Sequence, residues 1–195
     1  TGYLKAHYPT EFMTALLAAE SMDVEKIAFF IEETRAMNIE VLAPHINESF
    51  VDFTMVAPQK IRFGLGAIKN VGANIVHAII DERINMGKFT SIGNLSERVA
   101  HKDFNKKSSE SLIQCGACDD FGERGQMLGN IERILEYNRE FQKQKNTGQI
   151  SLFGTLNEQS GHLLRLFAQE PASEAQKLRW EKELLGLYIT HHPIT

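Results

Sequence analysis

The chain has 195 residues, 43% hydrophobic and 24% charged, a balance that supports a folded core of one large or two small domains and argues against wholesale disorder. No run approaches the roughly 18 apolar residues of a membrane span and no signal peptide opens the chain, so a cytoplasmic protein with no membrane partner is expected. The net charge of -4 hides a partition: residues 1–58 carry 3 Lys+Arg against 9 Asp+Glu, residues 59–107 carry 9 against 4, and residues 108–195 carry 9 against 12. A local surplus of Lys and Arg is what phosphate neutralisation needs; a solvated basic face would look the same.

In chain order, Pro9 suits a first helical turn, and Phe12, Met13, Leu16 and Leu17 then repeat at helical spacing. Asp23 is the expected N-cap of a second helix with Val24, Ile27, Phe30 and Ile31 on one face, stopped by Asn38. Val41 to Pro44 reads as short and extended, because the residue before a proline avoids the helical region. Phe53 to Val56 and Lys60 to Phe63 flank Ala57-Pro58-Gln59 and read as a small β-hairpin.

From Ile61 to Ile80 the pattern predicts two short helical stretches around a tight turn, Lys69-Asn70-Val71-Gly72, followed by Ala73. Val76, Ile79 and Ile80 give the second helix one apolar face. Asn70 and Gly72 are residues that tolerate a left-handed or close-approach backbone. A turn of this kind leaves the first amides of the next helix pointing outward, where they and the helix dipole attract an anion, with Lys69 adding a full charge. The stretch resembles a helix-hairpin-helix, a module that holds nucleic-acid backbone without reading bases, with Asn70 where that family usually has a first glycine. An ordinary helical hairpin whose glycine only permits tight packing would read alike.

Downstream, Gly87 is expected to end the helix and Ser91 to cap a shorter one with Ile92, Leu95 and Val99. Asn105 is expected to cap the next, which carries Leu112 and Ile113 and stops at Gly116. Lys102, Lys106 and Lys107 cluster at that helix start, either as a second phosphate contact or as a solvated lysine run. Cys115 and Cys118 have the spacing of redox dithiols and zinc half-sites, but no second paired motif completes a metal set and no βαβ setting surrounds them. They are expected to be reduced, structural thiols.

The longest helical stripe runs from Glu123 to Phe141, after which Gln142 to Gly148 reads as a polar linker. Gln149-Ile150-Ser151-Leu152-Phe153 follows, with two large apolar residues that invite a cover. A last helix is expected from Ser173, using Leu178, Leu184, Leu185, Leu187 and Tyr188 and ended by Pro193. The absence of an initial Met suggests a piece of something longer. The expected fold is mainly α: a helical-hairpin assembly with one small β-hairpin and a polar linker.

In this order the pieces resemble part of the alpha (polymerase) subunits of bacterial replicative DNA polymerase III. The resemblance rests on Tyr3-Leu4-Lys5-Ala6-His7-Tyr8-Pro9-Thr10-Glu11-Phe12-Met13, on Val41-Leu42-Ala43-Pro44 with Ile46-Asn47-Glu48-Ser49, and on Ile61 to Lys69. It continues through Gly87-Lys88-Phe89, Gly116-Ala117-Cys118-Asp119, Gly148 to Gly154, Glu181 to Ile189 and His192-Pro193.

The resemblance implies the end of the fingers over residues 1–58, a backbone-gripping helix-hairpin-helix region over 59–141, a linker with a clamp-binding motif over 142–160, and a helix leading to a further domain over 161–195. It implies primer-template duplex, the ring-shaped sliding clamp and other polymerase subunits as partners, with Gln149 to Phe153 holding the clamp. The palm aspartates that bind magnesium lie upstream in that family. No cofactor is therefore expected in this segment, and it is not expected to polymerise alone. The alternative is a piece of a helix-hairpin-helix nuclease, glycosylase or ligase. Such an enzyme needs a catalytic Lys/Asp pair after the hairpin, or clustered carboxylates; Lys88 and Asp103 are separated by a helix, and no better pair is found.

Overall fold

The computed structural model describes residues 2–21, 23–147 and 164–189. The chain begins with α1 (Gly2–His7), α2 (Pro9–Ala19) and α3 (Val24–Ala36). Asp23 caps α3 by accepting from the amides of Glu25 and Lys26, and Asn38 stops it at φ 57°. Three short strands follow, β1 (Glu40–Leu42), β2 (Thr54–Ala57) and β3 (Lys60–Arg62). The expected hairpin is β2 antiparallel to β3, turned through Gln59 at φ 61°.

Sequence reading has one hairpin; the structure has a three-stranded sheet, because β1 pairs in parallel with β3. That pairing depends on residues twenty positions apart, which no local signal records. The division expected at 58/59 also falls inside the β2–β3 hairpin, so the sheet belongs to both halves. Helices α2 and α3 cover the sheet. Met13, Leu17, Ile27, Ile31, Ile61 and Phe63 are fully buried there, so the apolar stripes read from the sequence face one core.

Next come α4 (Ala73–Met86), α5 (Ile92–Arg98), α6 (Lys106–Gln114), α7 (Arg124–Gly129), α8 (Ile131–Thr147) and α9 (Glu174–Leu185). Caps fall where the sequence puts them, Ser91 on α5 and Asn105 on α6, and Ser173, where the last helix is expected to start, caps α9. Three expectations need correction. The stripe from Glu123 to Phe141 is two helices, broken at Asn130, whose side chain is used elsewhere. Residues 142–147, read as linker, extend α8. Their Gln and Lys are good helix formers, and the Gln142 amide donates to the Glu97 carbonyl at 3.0 Å. Helix α9 ends at Gly186 in the left-handed region, φ 83°, well before Pro193.

Two of the motifs that carry the resemblance close on each other. The Asn47 amide group donates to the Phe89 carbonyl at 2.9 Å and accepts from the Phe89 amide at 2.8 Å, tying the 46–49 turn to the segment after α4. Arg83, buried on α4, donates to the carbonyls of Ile46 and Ser49 at 2.8 and 2.9 Å. At the other end, Arg124 makes a two-pronged pair with Asp119 at 2.8 Å and reaches Glu181 of α9 at 3.1 Å. These side-chain ties fix the 46–49 turn to α4 and to the segment after it, and the start of α7 to α9.

Candidate nucleic-acid interface

The site begins where β3 ends. Phe63 and Leu65 are fully buried, and Leu65–Ala67 form a single 3-10 turn in place of the α-helical first arm read from the sequence. Strand pairing takes Lys60 to Arg62, which leaves too few residues for a full helix before the turn. The turn itself closes by a hydrogen bond from the Val71 amide to the Ile68 carbonyl at 3.2 Å, with Asn70 at φ 68°. A positive φ at the third residue is the requirement of a type II turn, and Asn tolerates it. Gly72, at φ -73°, needs no such freedom; it is the N-cap of α4 and supplies no capping side chain.

That last point sets α4 apart from α2, α3, α5, α6, α7 and α9. Helices α3, α5, α6, α7 and α9 begin with a side chain accepting from their first amides, and α2 begins with Pro9. Helix α4 has neither, and nothing lies within 4 Å of where a Cβ at Gly72 would sit. Ala73 and Asn74 are exposed, while Ile75, Val76, Ile79 and Ile80 anchor the helix below. Its positive end therefore faces open space on a rigid base. Lys69 is exposed beside it, but its own amide is committed to the Leu184 carbonyl of α9 at 3.1 Å and is not available to an anion.

The second expected contact differs. Asn105 and Ser108 form a reciprocal capping box that satisfies the start of α6. Lys106 pairs with Glu132 of α8 at 2.7 Å, and that hydrogen bond and charge raise the lysine and lower the carboxylate from their usual values. Lys102 and Lys106 line a cleft of about 400 Å³ together with His101 and Arg139, and none of Lys69 to Ala73 lines it. The structure thus gives two separate basic places, one open and one partly neutralised.

The basic surplus of 59–107 divides in the same way. Arg62 donates to the Ala43 carbonyl and pairs with Glu48. Arg83 holds the 46–49 turn, and Arg98 gathers the carbonyls of Glu82 and Gly87 at 2.8 Å, covering the end of α4. These three arginines are scaffold, which the sequence does not announce. Among the described residues, Lys69, Lys88, Lys102 and Lys107 carry no ion pair.

Both cysteines are free and 1% exposed, and the Cys115 thiol donates to the Leu112 carbonyl at 3.3 Å. Burial pushes Cys115 up to about 12 and Cys118 well above its usual value. Neither is poised as a thiolate. Both are therefore expected to resist iodoacetamide at pH 8 in the folded protein and to alkylate promptly in denaturant, as mass spectrometry would show. Prompt alkylation of the native chain would contradict the burial. The pentapeptide Gln149 to Phe153 lies outside the described residues.

Residues 38–127 match a family model described as a helix-hairpin-helix motif, which spans β1 to α7 and includes the open start of α4. Over its full length the chain is 41% identical to the protein named DNA polymerase III subunit alpha of Thermus aquaticus, and covers 15% of that protein. The protein of that name in Deinococcus radiodurans is also 41% identical, with 15% of it covered, and that of Borreliella burgdorferi is 40% identical, with 17% covered. The chain therefore spans a small share of the length of these relatives. With the mainly helical fold and the helix-hairpin-helix region in place, the chain belongs to the DNA polymerase III alpha subunit family, as the counterpart of that one segment.

Proposed function

We propose that this segment holds primer-template duplex by its sugar-phosphate backbone and tethers the sliding clamp, within a cytoplasmic replicative polymerase whose other subunits complete the assembly. The observation that carries the reading is the uncapped start of α4 beside an exposed Lys69. Amides at Ala73 and Asn74 and the helix dipole suit one phosphate, and Lys69 adds the charge that makes the contact salt-dependent. Lys102 and Lys107, exposed at the start of α6, supply the second phosphate contact, with Lys106 contributing less because Glu132 already neutralises it. Gln149, Ile150, Ser151, Leu152 and Phe153 supply the clamp contact: two apolar side chains for a pocket and an amide for register. Magnesium-dependent nucleotidyl transfer belongs, on this reading, to other parts of the alpha subunit.

Lys69→Glu is expected to weaken duplex binding about tenfold and to lower the slope of log K against log salt by about one or more. Fluorescence anisotropy with a labelled primed duplex across a salt series checks this. An unchanged slope would remove the α4 start as the phosphate site.

A further inference from the structure

Helix α8 turns Glu132, Leu135 and Arg139 toward the start of α6, because spacings of three and four put side chains on one face. With Lys102, Phe104 and Lys106 they line a cleft of about 400 Å³. That volume suits one small ligand rather than a strand followed over several phosphates. Three cations meet one carboxylate there, Lys102, Lys106 and Arg139 against Glu132, which leaves a formal charge of +2. Lys106 reaches Glu132 at 2.7 Å, and Lys106 first, then Arg139, keep that carboxylate below its usual value. Glu110 also draws on Lys106, but from outside the cleft. His101, on the same lining, adds no charge: its Nδ1 accepts from the Asp103 amide at 3.1 Å, which fixes a neutral tautomer.

Charge alone would describe any basic surface. Here Phe104 and Leu135 are 6% and 9% exposed, and that remainder lines the cleft. Bases stacked inside a duplex leave such a lining unused, whereas an unstacked nucleotide offers a ring to pack on it and a phosphate beside the ring. The charge narrows the choice further. A phosphodiester carries one negative charge and leaves the cleft positive; a monoester phosphate carries about 1.5 to 2 near neutral pH and matches it. We propose that the cleft between α6 and α8 seats one unstacked nucleotide, its monoester phosphate held by Lys102, Lys106 and Arg139 and its ring against Phe104 and Leu135. The inference rests on the start of α6 being a phosphate contact and says which phosphate it takes. The phosphorylated 5′ end of a strand and a free nucleoside monophosphate share that chemistry.

The test uses the whole chain and two single strands, labelled at the 3′ end, that differ only in a 5′-phosphate or a 5′-hydroxyl. By fluorescence anisotropy the phosphorylated strand is expected to bind about tenfold tighter. Lys102→Ala and Arg139→Ala should each remove most of that preference, and Glu132→Gln should tighten binding of the phosphorylated strand about threefold. All three residues are exposed, so the variants keep the fold. Arg179→Glu changes a cation that lines a different cleft, on α9, and should leave the preference as it is. The nucleotide dAMP is expected to displace the phosphorylated strand at concentrations about tenfold below those inorganic phosphate needs, because only dAMP has a ring to seat. Displacement by dAMP as tight as by unlabelled strand assigns the free nucleotide; weaker displacement assigns the strand end. Equal binding of the two strands, with Lys102→Ala weakening both, overturns the proposal and leaves the start of α6 as a diester contact. Equal binding that neither Lys102→Ala nor Arg139→Ala changes removes that contact as well. A preference lost equally in Arg179→Glu, or inorganic phosphate competing as well as dAMP, also overturns the proposal.

Discussion

Glu181→Leu is expected to lower the stability of the folded chain by about 3 kcal/mol, the order found when one partner of a buried ion pair is removed. Glu181 and Arg124 are 1% and 4% exposed, and their contact at 3.1 Å joins α9 to the start of α7. Burial works against the Arg124 charge, but hydrogen bonds and charges from Asp119 and Glu181 raise its affinity for the proton. Without Glu181 the guanidinium keeps the Gln114 carbonyl at 3.1 Å and Asp119, a half-exposed and weaker charge partner. Glu181 also accepts from the Ile189 amide at 3.1 Å, so the chain after α9 loosens as well. In a chain of this size the change corresponds to a melting temperature lower by about 8 °C. Arg124→Leu combined with Glu181→Leu should recover much of that loss, because the stranded charge is gone. Calorimetry or thermal circular dichroism on the three variants checks the pattern; equal losses in single and double variants would mean the pair itself is strongly stabilising.

Leu152→Ala with Phe153→Ala is expected to abolish clamp binding and leave duplex binding as it was. Each side chain contributes roughly 1.5–3 kcal/mol gross on entering an apolar pocket, and removing most of both weakens binding by about a hundredfold or more. Ordering a peptide already offsets much of the gross term, so little affinity is left to lose before binding disappears. Neither residue carries charge, so the salt slope on duplex should not move. Surface plasmon resonance against immobilised clamp gives the answer, and affinity equal to wild type would end the clamp assignment.

What the sequence disclosed follows the range of each signal. Asp23, Ser91 and Asn105 cap helices in the structure as expected, because a cap is a contact across two or three residues. The β2–β3 hairpin was legible for the same reason. The β1–β3 pairing was not, since parallel strands meet through a connection whose length and path leave no periodic trace. Polar composition suggested a linker from Gln142, whereas helix propensity and the Gln142 contact with Glu97 keep α8 going. At the candidate interface, the turn and Asn70 were visible, but charge counting could not separate Arg62, Arg83 and Arg98, which bind backbone carbonyls, from the exposed lysines. Nor could it show that Lys106 meets Glu132, a partner on a different helix.

The docking of α9 carries one more consequence. Its contacts with the rest of the fold, the Arg124–Glu181 pair and the Leu184 carbonyl under Lys69, do not depend on an unbroken chain between 148 and 163. A peptide-bond scission anywhere in that interval should yield two pieces that migrate separately on a denaturing gel yet co-elute on a sizing column.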